Sequence, residues 1–386
     1  MENYKMIAKT FFGFEDILAY ELKNLGAQNV EQGVRMVSFV GDKGFMYKAN
    51  LGLRTALKIL KPIYNFKATT DASLYKGISG VNWSKYLNAN QTFVIDATVH
   101  SPHFNHTEFV SQKCKDAIVD QFRERTGSRP SIEKRFPDLR INIHIDKDQV
   151  SVALDTSGNA LNQRGYRTTT NIAPINEVLA AGILLLSGWD GQCDLLDPMC
   201  GSGTILAEAA MIACNIPPNI NRKEFAFEKW NDWDADLFDN ILESLLKKVR
   251  EFHYTITGYD KAPSAVLKAR ENIKNANLDE YVTIKEQNFF DTEKTSDRNL
   301  QMVFNPPYDE RLNIEMEDFY KNIGDTLKKN YKNTKAWFIT ANLEALKFVG
   351  LKPSRKIKLF NAGLEARLVK YEMYEGSKRT KFQVVG

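Results

Sequence analysis

Apolar positions in residues 1–65 alternate between a spacing of two and a spacing near 3.6. Residues 6–12 and 36–40 read as strands, and Glu15–Leu25 and 45–53 as helices; Ile17, Leu18, Leu22 and Leu25 fall near one face. The pattern repeats over 66–160. A helix is expected at 73–87, a strand at 93–99, and a long helix at 109–125 stopped by Gly127. Residues 140–145 and 149–154 then alternate as a hairpin turned by Asp146-Lys-Asp148. After a polar linker at 161–172, with Arg164 and Arg167, Pro174 opens a helix running to Ser187. Strands are expected near 193–197, 255–260, 281–287, 301–304 and 335–340, with helices between most of them. That order implies an α/β fold with a mostly parallel sheet covered on both faces. The strands near 356–360 and 366–374 lack a helix between them and predict an antiparallel hairpin at one edge. An insertion at about 215–253, rich in aromatics (Phe225, Phe227, Trp230, Trp233), reads either as a substrate wall or lid, or as a helical piece packed on the sheet edge.

Composition changes this picture little. The chain has 386 residues, 43% hydrophobic and 26% charged, with net charge +4. That suits two or three soluble domains and argues nothing about partners. Basic residues outnumber acids from Lys328 to Lys381, as a solvated face or a nucleic-acid surface would. The four cysteines form no CxxC pair, which fits a reducing cytoplasm and argues against cysteine-bound zinc. His100, His103 and His106 lie in a strand-to-helix loop without a fixed acidic or cysteine ligand, so a polar loop is expected rather than a metal site. No signal peptide is read at the N-terminus, and the longest apolar run, 178–189, is too short to span a bilayer. A cytoplasmic protein is expected.

The chemistry concentrates at strand ends. Asp197-Pro-Met-Cys-Gly-Ser-Gly-Thr204 joins a strand to a helix through Gly201 and Gly203, which let backbone approach a ligand. The third glycine of a dinucleotide fingerprint is absent, since Leu206 stands there. No GxxxxGK[ST] loop is present, which disfavours nucleotide hydrolysis. Cys200 reads as a small packing residue rather than a nucleophile. Asp260, followed by Lys261, is placed to accept ribose hydroxyls. Asn288 is placed to accept from an adenine amine, and Phe289 to cover its ring. A nucleoside pocket without a phosphate clamp suits S-adenosylmethionine. Asn305-Pro-Pro-Tyr308 follows another strand: the Asn305 oxygen and Pro306 carbonyl can hold an exocyclic amine, with Tyr308 stacking on the base.

With these segments in view, residues 173–386 resemble a class I S-adenosylmethionine-dependent methyltransferase of the NPPY amino-methylating type, a Rossmann-like fold. The first half resembles a THUMP RNA-binding region (66–160) behind a ferredoxin-like piece (1–65). The segments Lys115-Asp-Ala-Ile-Val-Asp120, Leu154-Asp-Thr-Ser-Gly158, Arg164-Gly-Tyr-Arg167, Ala173-Pro174, the glycine loop and Phe225-Ala-Phe-Glu-Lys-Trp230 resemble the bacterial 23S rRNA guanine-N2 methyltransferase family. That resemblance implies Asp197, Met199, Cys200, Gly201, Ser202, Gly203, Thr204, Asp260, Lys261, Asn288, Phe289 and Asn305 along the cofactor. It also implies Asn305, Pro306, Pro307 and Tyr308 around the target guanine, with S-adenosylhomocysteine as product. Some members carry a second methyltransferase domain, whose activity is not expected here. Asp309 stands where glycine is common, and Asn162-Gln163 replace a more typical His-Lys. Three readings stay open beside 23S rRNA: a tRNA guanine-N2 enzyme, a DNA adenine-N6 enzyme, and an RNA-binding assembly factor without activity.

Overall fold

The computed structural model describes residues 2–168, 174–307, 315–361 and 363–375. The chain folds into two units that interleave in sequence. The first comprises Met1–Thr10, Leu18–Leu161 and Arg222–Ser244; the second comprises Phe11–Ile17, Asn162–Asn221 and Leu245–Gly386.

The first unit is built on one eight-stranded sheet. Its elements are β1 (Tyr4–Lys9), α1 (Glu15–Leu25, shared with the second unit), β2 (Gln28–Gly33), β3 (Met36–Gly41), α2 (Lys43–Gly52), β4 (Lys58–Lys67) and α3 (Asp71–Ser79). They continue with β5 (Thr92–His100), α4 (Thr107–Thr126), β6 (Ser131–Ile132), β7 (Leu139–Asp146) and β8 (Gln149–Asp155). The strand order is β2-β3-β1-β4-β8-β7-β5-β6. β4 joins the two halves: Lys58–Leu60 pair with β1, and the strand continues past residue 65 along β8. The expected helix at 73–87 ends early, at Ser79. The Gln121 side chain explains why: it donates to the carbonyls of Ser79 (2.9 Å) and Val81 (2.8 Å) and accepts from the amide of Trp83 (3.0 Å), satisfying a turn in place of helix. Gly127 caps α4 in the left-handed region, as read from sequence.

The second unit carries α5 (Glu177–Leu186), β9 (Asp194–Asp197) and α6 (Thr204–Ala213). The chain passes through α7 (Ala235–Leu246) and resumes with β10 (Ile256–Asp260), α8 (Pro263–Asn275), β11 (Val282–Glu286), β12 (Leu300–Phe304), α9 (Met316–Asn330), β13 (Thr334–Thr340), β14 (Arg355–Asn361) and β15 (Leu364–Glu372). The seven strands lie in the order β11-β10-β9-β12-β13-β15-β14. The first five run parallel; β15 is antiparallel between β13 and β14 and completes the expected edge hairpin. Two clusters of buried side chains flank this sheet. One centres on α5, α6 and α8 with Phe14, and the other on α9 with Phe289, Phe304 and Tyr331.

The sequence leaves the insertion's aromatics open as a wall, a lid or an edge packing for the second unit's sheet. They belong to the first unit, where Phe227, Trp233 and Phe238 surround the Tyr47 ring at 4.6, 5.2 and 5.9 Å between centroids. Among the described residues no helix is long and apolar enough to cross a membrane, and no cluster of three or more metal-ligating side chains is found.

Candidate active site

In the second unit the chain moves from β9 outward to β10 and β11, then returns to place β12 on the other side of β9. That reversal opens a crevice beyond the carboxyl ends of β9 and β12. The two strands run in step, with Leu300 opposite Asp194 and Met302 opposite Leu196. Asn305 therefore leaves β12 beside the turn that leaves β9.

The turn is held by backbone. The Cys200 amide donates to the Tyr259 carbonyl at 2.8 Å, and the Gly203 amide to the Cys200 carbonyl at 2.8 Å. The Gly201 amide donates to Asp260 Oδ2 at 3.0 Å. Gly201 (φ 55°) and Gly203 (φ 81°) both need the left-handed region. Gly203 also precedes α6 without a side-chain cap, leaving the first-turn amides of that helix to other acceptors. The glycine missing at 206 has a counterpart on the neighbouring strand. A Cβ on Gly258 would lie 2.4 Å from Leu206 Cδ1 and 3.1 Å from Cys200 Sγ, so strand and helix meet only because 258 is glycine.

The expected site residues divide into those that face the crevice and those that build its back wall. Asp260 is half-buried; its oxygens accept from the amides of Gly201 and Ala262 (2.9 Å) and keep further lone pairs. Burial pushes the Asp197 carboxyl well above its usual range, the Met199 amide bond opposes this, and the Asp260 charge adds to it. Met199 packs on the α9 cluster, and Lys261 is exposed. Cys200 is buried and burial pushes its thiol well up, which keeps it protonated and unreactive, in line with a packing role.

The remaining expected residues make contacts within the unit. Ser202 and Thr204 turn inward: the Ser202 carbonyl accepts from Asn272 Nδ2 (3.0 Å), and Thr204 Oγ1 from an Arg167 guanidinium nitrogen (2.7 Å). Phe289 presents no face for an adenine; it is 2% exposed and packs on Phe304 and Tyr331. Asn288 is engaged locally, capping its own turn through Phe290 and donating to Asp291 Oδ2 at 2.8 Å, which leaves its oxygen one further lone pair. Pro306 is buried and Pro307 half-buried. Tyr308 and Asp309 lie outside the described residues, as does Ala173. Asn305 Oδ1 is buried and accepts no hydrogen bond from the described residues.

The sequence marks Arg164 and Arg167 as linker and family-resemblance residues but gives no sign that they brace this turn. Arg167 also contacts Glu177 (3.1 Å) and the Ile175 carbonyl (3.0 Å). Arg164 pairs with Glu208 at 3.2 Å, both side chains fully buried, and donates to Asn219 at 3.1 Å. Both arginines of the polar linker therefore make internal contacts, Arg164 fully buried and Arg167 half-buried. The polar partners on α5 and α6, Glu177 and Glu208, were the available signal.

A five-stranded parallel sheet with an antiparallel edge hairpin, a glycine turn after the strand at the reversal point, and an acid ending the next strand define a class I methyltransferase. Its cofactor is S-adenosylmethionine, and the half-buried Asp260 carboxylate and the unpartnered Asn305 oxygen fit such a group and its acceptor. The chain belongs to the family described as RMKL-like methyltransferase domain, which matches residues 164–370. A THUMP domain matches 68–155, and the RlmL ferredoxin-like domain matches 5–60. A Synechocystis protein named as an RNA methyltransferase, slr0064, is 35% identical over 365 residues, covering 94% of this chain and 95% of that protein. The ribosomal RNA large subunit methyltransferase K/L of Syntrophotalea carbinolica is 36% identical over 384 residues, covering 96% of this chain and 54% of the relative. The chain thus spans about half the length of the K/L relatives it matches. The crystal structure of SMU.472 complexed with SAH superposes with a TM-score of 0.86 at 30% identity, covering 98% of this chain and 100% of that one.

Proposed function

We propose that this chain transfers a methyl group from S-adenosylmethionine to the exocyclic N2 amine of a guanine in 23S ribosomal RNA, in the cytoplasm. The observation that carries the reading is the Asn305 amide oxygen, a buried acceptor without a partner among the described residues, at the strand end beside the glycine turn. Leaving such a group unpaired costs about 1–3 kcal/mol, which an amine N–H entering the crevice would recover. The THUMP match supports RNA as substrate, and the names of the K/L relatives support the large ribosomal subunit. The choice of guanine N2 rests on the resemblance carried by Asn305-Pro-Pro-Tyr308 and its companion segments.

Bound S-adenosylmethionine supplies an electrophilic methyl group on a sulfonium sulfur. Asp260, fixed by two backbone amides, has lone pairs left for ribose hydroxyls. Asn305 Oδ1 accepts one amine hydrogen and the Pro306 carbonyl the other, turning the nitrogen lone pair out of conjugation with the ring. The new N–C bond forms as the S–C bond breaks, and the alkylated nitrogen releases its proton to water. Orientation is the main contribution, since a well-placed pair of reactants gains several kcal/mol over free encounter (about 7–11 in favourable cases).

The test is methylation by the purified protein, with methyl-labelled donor, of 23S rRNA, tRNA and DNA from a strain lacking the gene, followed by nucleoside analysis. N2-methylguanosine in 23S rRNA is expected. Label confined to tRNA would move the substrate, and N6-methyladenine in DNA alone would overturn the reading.

A further inference from the structure

Two segments that carried the family resemblance, 154–158 and 225–230, take no part in the methyl-transfer site. Both belong to the first unit, and both line one surface hollow there. Their large side chains are spent on structure. Asp155 is bound by Lys58 at 2.7 Å, the Thr156 hydroxyl donates to the Ile59 carbonyl at 2.9 Å, and the Phe225 and Phe227 rings stack at 5.1 Å. What they expose is backbone and a cation. Gly158, at φ 77°, closes on Ala226 so tightly that a Cβ would lie 3.3 Å from its amide nitrogen. Lys229 reaches over this floor from one side.

The opposite wall is the loop before β7. Phe136 is 64% exposed, although a phenylalanine ring gains nothing from water. Beside it the Arg135 side chain is exposed and has no ion-pair partner among the described residues. Arg140 is held by Asp96 at 3.0 Å and the Lys134 carbonyl at 3.3 Å, yet its Nε is buried without a partner. The acid lining the hollow is Glu224, 3.7 Å from Lys229. Three basic side chains, Arg135, Arg140 and Lys229, line the hollow against that one acid, so its lining is positive.

We propose that the rim of this hollow binds an unpaired nucleotide of the substrate RNA, with its base on the exposed Phe136 ring and its flanking phosphates beside Arg135 and Lys229. An open aromatic face next to cations is the arrangement that holds single strands, because every base has a face to stack and every linkage a charge. A duplex offers no free base face, so the hollow selects an unpaired stretch. The site is composite: its floor comes from residues far apart in sequence, and the insertion inside the methyltransferase half supplies one side of it.

This inference rests on the reading of the substrate as RNA, and its test separates the two. A short fluorescein-labelled single-stranded RNA is titrated with the full-length protein, wild type and the variants Phe136→Ala and Arg135→Ala, at several salt concentrations. Both side chains are exposed, so thermal midpoints should match the wild type. Phe136→Ala should lose roughly five- to hundredfold in affinity for the single strand. Arg135→Ala should lower the slope of log K against log salt by about 0.7, the value for one phosphate contact on a single strand. Affinities and slopes equal to wild type would overturn the hollow and leave the RNA substrate standing. A wild-type protein that binds no RNA would overturn both.

Discussion

Gly201 donates its amide hydrogen to the Asp260 carboxylate at 3.0 Å, so the acid that ends β10 fixes the glycine turn that follows β9. The second oxygen of the same carboxylate receives the Ala262 amide at 2.9 Å. Asparagine at 260 would point an NH2 group at one of these two donors. Asp260→Asn should therefore weaken S-adenosylhomocysteine binding by roughly tenfold or more, as one unsatisfied donor costs about 1–3 kcal/mol. Calorimetric titration decides this, and an unchanged affinity would remove Asp260 from the pocket.

Asn305→Ala should separate chemistry from binding. Loss of the acceptor should lower methyl transfer at least about a hundredfold, by analogy with removing one preorganised hydrogen-bond group from an active site. RNA and S-adenosylhomocysteine affinities should fall far less than the rate, because phosphate contacts and the glycine turn carry most of them. The variant should melt no lower than the wild type, since the lost oxygen has no partner among the described residues. Activity close to wild type would sink the role given to Asn305.

Gly258→Ala places a methyl group 2.4 Å from Leu206 Cδ1. Leu206 is fully buried and cannot swing away, so α6 must move and carry the glycine turn with it. We expect about 1–3 kcal/mol of destabilisation in denaturant titration. A loss of cofactor affinity should accompany it; a variant that melts lower yet binds normally would show the turn to be independent of this packing.

These positions show what the sequence could and could not reveal. Alternating or helical apolar spacing carried the strands and helices with a clear inner face, including every strand of the second unit's sheet. β2 was missed because its residues, Gln28-Asn-Val-Glu-Gln-Gly33, bury nothing and leave no pattern. β4 was missed because Pro62 interrupts it where the pairing with β8 slips between Pro62 and Tyr64. The strand-end positions of the glycine turn, Asp260 and Asn305 were legible from the apolar runs before them. Phe289 was not, because a residue one step past a strand end can point into either layer, and only the packing of Phe304 and Tyr331 decides which. Arg164 escaped for a related reason: its partner Glu208 is 44 positions away.

The Arg164–Glu208 pair, fully buried at 3.2 Å, predicts a large and asymmetric cost. Removing one charge strands the other in the interior, so Arg164→Ala or Glu208→Ala should each destabilise by about 3–5 kcal/mol. The double variant Arg164→Met with Glu208→Leu should recover much of that. Chemical denaturation of all four proteins tests the coupling.

Asp197 predicts a pH effect of definite sign. Burial raises its carboxyl well above the ordinary 3.8, so the folded chain holds this proton longer than the unfolded one. Its share of stability is complete below the ordinary value and is lost as pH rises through the folded one. Asp197→Asn removes that loss and can still accept from the Met199 amide. The variant should match the wild type near the acid end and melt higher at neutral pH, while binding the cofactor less well. Parallel melting curves across pH would disprove this.

The Tyr47 ring is enclosed by Phe227, Trp233 and Phe238, which the ribosome makes long after the strands around Tyr47. Closing so long a loop is slow, and domains otherwise tend to fold in the order they are synthesised. Here the nascent first unit must wait, one aromatic side uncovered, until β9, the glycine turn and α6 have also left the tunnel. Release from the ribosome at any earlier point yields neither unit finished, so a truncated product cannot occupy RNA with a closed first unit while lacking the start of the methyl-transfer sheet.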